Sequence, residues 1–590
     1  MNIKPSPIIP DNAPFNPAQR AWLNGYMAGL LAGRMEREIA SEKSNSIKAT
    51  VPLLILFGSQ TGTSEKLARD ILKQSKVQGC DSRVLDASAF ATIDWKKETN
   101  LFVVTSTYGD GDMPDNAQPF WDWLQTEAVN SLAHIRFSVL ALGDTNYEHF
   151  CAAGKKIDAR LEQLGATRIH PLAECDVDYE AKAKSWMISA LGVLTSATEP
   201  ETSLSISATA AEVESGVEKY SKTNPFPARL LTNHKLSGEG SAKETRHFEI
   251  SLEGSGLAYE AGDALGVYPT NCDALVADVL HALGFDGEEA VPTPSGGELP
   301  LRKALTTTFD ITKPSPDFLK KIAERNSTLR ELLGPGRAED LRKWLWGREV
   351  IDLLITETEL HFSPGEFVSI LKRLAPRLYS ISSSPKAHAG QVHATISVVR
   401  YDSHGRGRKG VASTFLADRV GEESHVPVFI QPSHGFRLPA NGDTPIIMVG
   451  PGTGIAPFRA FLHERRSMGA KGGNWLLFGE QRAATDFYYR EELEKMRADG
   501  HLTKLSTAFS RDQQEKIYVQ HRMAEQAAEI WAWLQDGAHF YVCGDASRMA
   551  KDVDAALHSA IATAGNLTGE KAAEYVTRLK SEKRYQRDVY

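Results

Sequence analysis

Cysteine is scarce in this 590-residue chain. The five thiols (Cys80, Cys151, Cys175, Cys272 and Cys543) are scattered, odd in number and nowhere spaced as C-x-x-C. That spacing excludes a disulfide framework, a zinc site and a four-thiolate iron–sulfur cluster, so any electron store in the chain itself is organic. Long hydrophobic runs are missing too. None reaches the 18 or more residues a membrane-crossing helix needs, and the best candidate, AWLNGYMAGLLAG at Ala21–Gly33, is short and carries Asn24. The opening MNIKPSPIIPDN lacks the basic start and apolar stretch of a secretory signal, so a cytoplasmic location is expected. Basic excess is also absent: a net charge of −8 argues against nucleic-acid binding. What remains is an ordinary globular mixture, 42% apolar and 24% charged, long enough for several domains and without internal repeats.

Hydrophobic patterning divides the chain. In residues 1–50, Trp22, Leu23, Tyr26, Met27, Leu30 and Leu31 recur at helical spacing. This predicts a helix that either packs on its own protein or docks a partner subunit. Over 51–194, buried strands (VPLLILFG, LFVVTSTYG, FSVLALGD) alternate with amphipathic helices, predicting a parallel α/β sheet covered on both faces. Residues 195–222 are small and polar and read as a linker. Over 223–440, short alternating strands with Gly and Pro turns predict an antiparallel β-barrel, interrupted at about 272–361 by a helical insertion. Strand–helix alternation returns over 441–590 (PIIMVG, NWLLFGE, HFYVCGD), predicting a second α/β domain.

Three constellations carry chemistry. GSQTGTS at Gly58–Ser64 lies between a strand and a helix, where backbone N–H groups favour an anion. It lacks the G-K-[ST] ending of a nucleotide-cleaving loop, so hydroxyls replace lysine, which suits a flavin mononucleotide phosphate. The next strand ends, STYG and LGDTNYEHFC, add Tyr108 and Tyr147, able to sandwich a flat ring where open α/β sheets bind ligands. Asp110, Asp112, Asp115, Asp144 and Glu148 beside them are either a solvated face or a surface that steers a basic partner. In the barrel, RLYS offers an arginine for phosphate and Tyr379 for stacking, while GVAS opens a helix. The loop GPGTGIAP follows a strand and is built for a pyrophosphate. Downstream, Ser510, Arg511 and the run KIYVQ supply the cations and hydroxyls that a 2′-phosphate needs, favouring NADPH over NADH.

The first three loops resemble flavodoxins, and the RLYS, GVAS and GPGTGIAP order resembles the ferredoxin–NADP reductase family. Together, with FRLPAN, SRDQQEKIYVQ, YVCGDASRMAKDV and the ending RYQRDVY, the chain resembles the sulfite-reducing branch of the diflavin reductase family over nearly its full length. The resemblance implies NADPH, FAD and FMN, with electrons leaving for a separate sirohaem and iron–sulfur subunit docked through the N-terminal region; another haem or metal acceptor is the alternative. It places FMN at Ser59, Gln60, Thr61, Gly62, Thr63 and Ser64, at Ser106, Thr107, Tyr108 and Gly109, and at Leu142, Gly143, Asp144, Thr145, Asn146, Tyr147, Glu148, His149, Phe150 and Cys151. It places FAD at Arg377, Leu378, Tyr379 and Ser380, at Thr395, Ile396 and Ser397, at Tyr401, at Gly410, Val411, Ala412 and Ser413, and at Tyr590. NADPH falls to Thr453, Ser510, Arg511, Lys516, Ile517, Tyr518, Val519, Gln520 and Asp552. Ser380, Cys543 and Asp588 are implied to line the hydride path. No metal is expected, and the sequence leaves self-association open.

Overall fold

The computed structural model describes residues 50–590 except 60–61, 109–110, 128, 130, 145–148, 177–178, 197–219, 295, 358, 422–423 and 434. The predicted N-terminal docking helix, most of the linker, Gln60, Thr61, Gly109, Asp110 and Thr145 to Glu148 lie outside the described residues.

The first unit is a parallel sheet in the order Cys80–Asp86, Val51–Gly58, Asn100–Ser106, Arg136–Leu142, with the short strands Thr167–Arg168 and Ala173–Cys175 both paired to the last. Its central strands bury nearly every residue, which is why they read as continuous apolar runs rather than alternating ones. Helices Thr63–Val77 and Ala152–Gln163 follow, after loops, the strands Val51–Gly58 and Arg136–Leu142. The candidate FMN loops therefore collect at one edge.

Six antiparallel strands follow, in the order Arg377–Ser380, Ala264–Val267, His425–Gln431, Phe226–Lys235, Thr245–Ser251, Gln391–Ser397. A bridge between Ile381 and Ala394, with Ser382 N–H donating to the His393 carbonyl at 2.8 Å, joins the first strand to the last and closes the barrel. Helices from Asp273 to Ser369 are inserted between two adjacent barrel strands, around a core that includes Phe318, Phe367 and Leu305. The chain finishes in a parallel sheet ordered Lys504–Phe509, Asn474–Glu480, Ile446–Val449, His539–Gly544, Tyr585–Val589. The sequence-predicted fold class holds throughout: flavodoxin-like α/β, an antiparallel barrel with a helical insertion, and a nucleotide-binding α/β domain.

Barrel and last domain share a polar junction. Arg459, in helix Ala456–Ser467, donates to the Ser382 carbonyl at 2.8 Å and pairs with Glu492 at 2.9 Å. His247, Glu249 and His393 bring ligand atoms within 4.8 Å of one another on the facing barrel surface. Arg459 Nη1 lies 3.4 Å from His393 Nδ1, so the cluster works as a hydrogen-bonded seam with a fixed positive charge at its centre.

Candidate functional site

The last strand, Tyr585–Val589, runs parallel to His539–Gly544 and sets Cys543 opposite Asp588. Ser380 reaches the same point from the end of a barrel strand: its hydroxyl donates to Asp588 Oδ2 at 2.7 Å. The Cys543 thiol donates to the same oxygen at 3.8 Å. The trio expected from sequence is thus assembled from residues up to 208 positions apart. Burial pushes the Cys543 thiol far above its ordinary range, and the neighbouring Asp588 carboxylate adds to this, so the sulfur stays protonated. Burial also raises Asp588, against the two hydrogen bonds that favour its charged form.

The loop after Ile446–Val449 closes on this trio because its glycines have no side chains. A Cβ on Gly454 would lie 2.1 Å from the Cys543 carbonyl oxygen, and one on Gly450 would lie 2.5 Å from the Gly454 carbonyl oxygen. The C-terminal residue seals the other side. Tyr590 N–H donates to the Gly544 carbonyl at 3.1 Å, its own carbonyl accepts from Ala546 N–H at 3.1 Å, and its hydroxyl lies 3.0 Å from Thr453 Oγ1. Tyr590, Thr453 and Ser397 share the lining of a cavity of ≈ 320 Å³.

A larger cavity of ≈ 460 Å³ adjoins it, lined by Ser510, Arg511, Lys516, Tyr518, Val519, Gln520 and Asp552 as expected from sequence. Ile517 instead packs against the hydrophobic core of the domain. Arg511 and Lys516 are exposed cations at the cavity wall, and Gln520 is oriented by a 3.1 Å hydrogen bond to Asp552. The donor set and the volume suit a nucleotide with an extra phosphate. Four charged wall residues were not assigned from the sequence: Lys243, Glu480, Asp545 and Arg548. Lys243 and Glu480 form a 2.5 Å ion pair between barrel and nucleotide domain. Glu480 ends strand Asn474–Glu480, and Asp545 and Arg548 follow strand His539–Gly544, so the rule that ligands gather at strand carboxyl ends marks them.

At the first sheet, Ser59 Oγ accepts from Gly62 N–H and Ser59 N–H donates to Asn116 Oδ1, both at 2.8 Å. Gly62 adopts φ = 89°, a left-handed conformation that glycine permits. Ser64 Oγ is buried at the helix start and has no hydrogen-bond partner among the described residues. An unsatisfied hydroxyl there suits a phosphate oxygen as acceptor. Thr107 and Tyr108 lie past the neighbouring strand, with Ser106 ending it; Thr107 Oγ1 accepts from Ala153 N–H at 3.2 Å. Gly143 and Asp144 begin the third loop, and His149 and Phe150 end it. Two predicted contributors turn away: Leu142 is in the core, and the fully buried Cys151 thiol donates to the Ala141 and Cys175 carbonyls at 3.4 and 3.6 Å. Only their backbone can meet a ligand.

In the barrel, Leu378 is exposed, while Tyr379 is partly buried and its phenol is pushed upward by burial. Arg377 Nη1 donates to the Ala375 carbonyl at 3.2 Å. Thr395 Oγ1 sits 2.6 Å from Tyr489 OH, and Ile396 is in the barrel core, so of that triplet Ser397 alone turns its side chain to a cavity. Gly410 starts the turn Val411–Thr414; Ser413 Oγ accepts from Val399 N–H at 3.1 Å, and Ala412 is buried. Tyr401 is exposed on a neighbouring hairpin.

These three regions coincide with three family models: flavodoxin at residues 55–186, FAD-binding domain at 218–415, and oxidoreductase NAD-binding domain at 448–555. The chain is 45% identical to the sulfite reductase [NADPH] flavoprotein alpha-component of Bacillus subtilis, over 97% of this chain and 96% of the relative. It therefore belongs to the sulfite reductase [NADPH] flavoprotein alpha-component family. Members from Vibrio cholerae and Shewanella oneidensis are 42% and 41% identical, each over 98% of this chain and over 94% and 96% of their own lengths. Among the described residues, no helix of this flavoprotein is long and apolar enough to cross a membrane.

Proposed function

We propose that this flavoprotein oxidises NADPH in the cytoplasm for an assimilatory sulfite reductase and delivers single electrons to a separate subunit carrying sirohaem and an iron–sulfur cluster. The observation that carries the reading is the Ser380–Asp588–Cys543 trio, set against the glycine loop and covered by a terminal tyrosine bonded to that loop. The large cavity receives the phosphorylated adenosine end of NADPH, with Arg511 and Lys516 facing the 2′-phosphate. Thr453 and the cavity under Tyr590 receive the nicotinamide end, and Tyr590 gives way to it.

FAD bound on the barrel would accept the hydride as an electron pair, and FMN bound at the first sheet would release the electrons singly. The protein's own contribution is electrostatic. Asp588 supplies negative charge where the nicotinamide ring turns cationic, and Ser380 and Cys543 fix one of its oxygens. Cys543 is a protonated hydrogen-bond donor and forms no covalent bond to substrate. The remaining assignments are Ser59 to Ser64, Ser106 to Gly109 and Leu142 to Cys151 for FMN, and Arg377 to Ser380, Thr395 to Ser397, Tyr401, Gly410 to Ser413 and Tyr590 for FAD, with Leu142, Cys151 and Ile396 contributing through backbone alone.

The test is to purify the full chain gently, quantify both flavins by absorbance, and titrate anaerobically with NADPH. Equal FAD and FMN, bleached by NADPH, is the expected result. A colourless protein, or one with a single kind of flavin, overturns the reading. Co-purification with a sirohaem protein tests the partner, and capture of a different haem or metal protein would reassign it.

A further inference from the structure

The barrel wall at the junction with the nucleotide-binding domain carries two histidines and a glutamate on one face of two paired strands. Glu249 lies directly opposite His393 across strands Thr245–Ser251 and Gln391–Ser397, and His247 stands two residues from Glu249. The pleat therefore sends all three side chains to the same side. Their ligand atoms lie within 4.8 Å of one another, and His247 Nε2 is 3.2 Å from Glu249 Oε1. Ligands held about 2.1 Å from a tetrahedral zinc stand about 3.4 Å apart. Two of the three already have that spacing, and the third has to close by at most about 1.4 Å, a side-chain adjustment.

The atoms turned away from the shared point have partners of their own. Thr232 Oγ1 donates to Glu249 Oε2 at 2.7 Å, and Tyr489 OH lies 2.9 Å from His247 Nδ1. Such partners hold the rings and carboxylates of metal sites in orientation. His393 has Gln391 Oε1 3.2 Å from its Nε2 and Arg459 Nη1 3.4 Å from its Nδ1. Both contacts are long, so an ion can take either nitrogen in exchange for one weak hydrogen bond.

The charges suit a dication. Burial, with a smaller effect from Arg459, pulls His247 well below the ordinary histidine range, and burial does the same to His393. Both imidazoles are thus neutral, the form that binds metal. Burial works against the charge of Glu249, but hydrogen bonds from Thr232 and His247 hold it below the ordinary carboxylate range. Arg459 is matched by Glu492, which accepts from its Nε at 2.9 Å and from its Nη2 at 3.0 Å. Once that pair is formed, the negative charge of Glu249 is left over. Its side chain is 30% exposed and gives an ion its way in, while both histidines are buried.

We propose that His247, Glu249 and His393 bind a divalent ion of the zinc class, with water in the fourth position. The ion ties the two barrel strands together beside the seat of Arg459. None of the three residues lines either nucleotide cavity, so the site does not depend on the flavin or NADPH readings.

The full chain with its flavins, freed of metal by a chelator and dialysed, would be titrated with Zn²⁺ by calorimetry as wild type, E249Q and H247N. The wild type should take up one equivalent, and each variant should raise the Kd at least about tenfold. E249Q keeps the shape of the side chain, and its result decides alone if H247N does not fold. X-ray absorption of the zinc-loaded wild type should show nitrogen and oxygen neighbours at about 2.0–2.2 Å. No saturable uptake by the wild type, undiminished uptake by E249Q, or a sulfur neighbour at about 2.3 Å overturns the site.

Discussion

Asp588 is a residue on which burial and hydrogen bonding pull in opposite directions. Burial raises its pKa, so at neutral pH the ionised form costs stability that a neutral isostere does not. A carboxyl raised in the folded state loses stability as pH rises through its folded pKa, and the penalty is gone below its unfolded value. D588N is therefore expected to raise Tm at pH 8, with the gain vanishing towards pH 4. It should also slow NADPH-dependent flavin reduction at least about tenfold. Thermal melts across that pH range beside stopped-flow reduction would check both, and a gain that persists at low pH would refute the electrostatic account. The role proposed for Arg511 predicts a difference between the two nicotinamide nucleotides. R511A should raise the Kd for NADPH by roughly 10–100-fold, the scale of one lost charge-assisted hydrogen bond, and leave NADH nearly unchanged. Equal losses would show that the cavity's basic wall is not a 2′-phosphate site. At this scale the sequence was informative where a side chain speaks through its type. Arg511 and Lys516 were legible as cations after a nucleotide loop, whereas Lys243 was not, because its ion pair with Glu480 joins residues 237 positions apart.

Among elements, the seam between the helical insertion and the hairpin at 400–409 holds a buried ion-pair cluster. Arg408 is almost fully buried against Glu349 and Asp352. Burial is the largest influence on Glu349 and lifts its pKa from 4.5 to about 7 despite the arginine. Its contribution to stability is present below the unfolded value and declines as pH rises through about 7. E349Q should flatten the pH dependence of chemical denaturation between pH 5 and 8. R408M, which leaves two carboxylates buried without their cation, should cost about 3–5 kcal/mol. A denaturation midpoint unchanged in R408M would show that the seam does not hold the insertion in place. Elements were largely readable because their burial periods differ: continuous apolar runs marked the parallel strands, alternation marked the barrel. Barrel closure was not readable. It depends on a single bridge between Ile381 and Ala394, which no local pattern announces.

At the scale of the whole molecule, Arg587 links the nucleotide-binding domain to the flavodoxin-like one. Arg587 pairs with Asp115 through both its Nε and Nη2, and its guanidinium lies 5.4 Å from the centre of the Tyr108 ring. Asp115, one of the acidic residues beside the first site, is paired within the chain. The pair is largely shielded from solvent, with 17% and 21% of the two side chains exposed, so salt screens it less than a surface pair. R587A should release the first domain. The expected signs are a larger radius of gyration by small-angle scattering and slower electron arrival at FMN after NADPH addition, with FAD reduction little affected. Unchanged dimensions and kinetics would mean that other contacts hold the domains. The sequence carried no trace of this arrangement: Asp115 and Arg587 are 472 residues apart, and each looks like an ordinary surface charge.

Tyr590 has a practical corollary for anyone handling the protein. It is bonded through its backbone N–H and carbonyl to the turn at 544–546 and through its hydroxyl to the nucleotide loop. On the proposed reading, any tag or substitution that pulls this tyrosine away would uncover the doorway for nicotinamide, so a handle is best placed far from it.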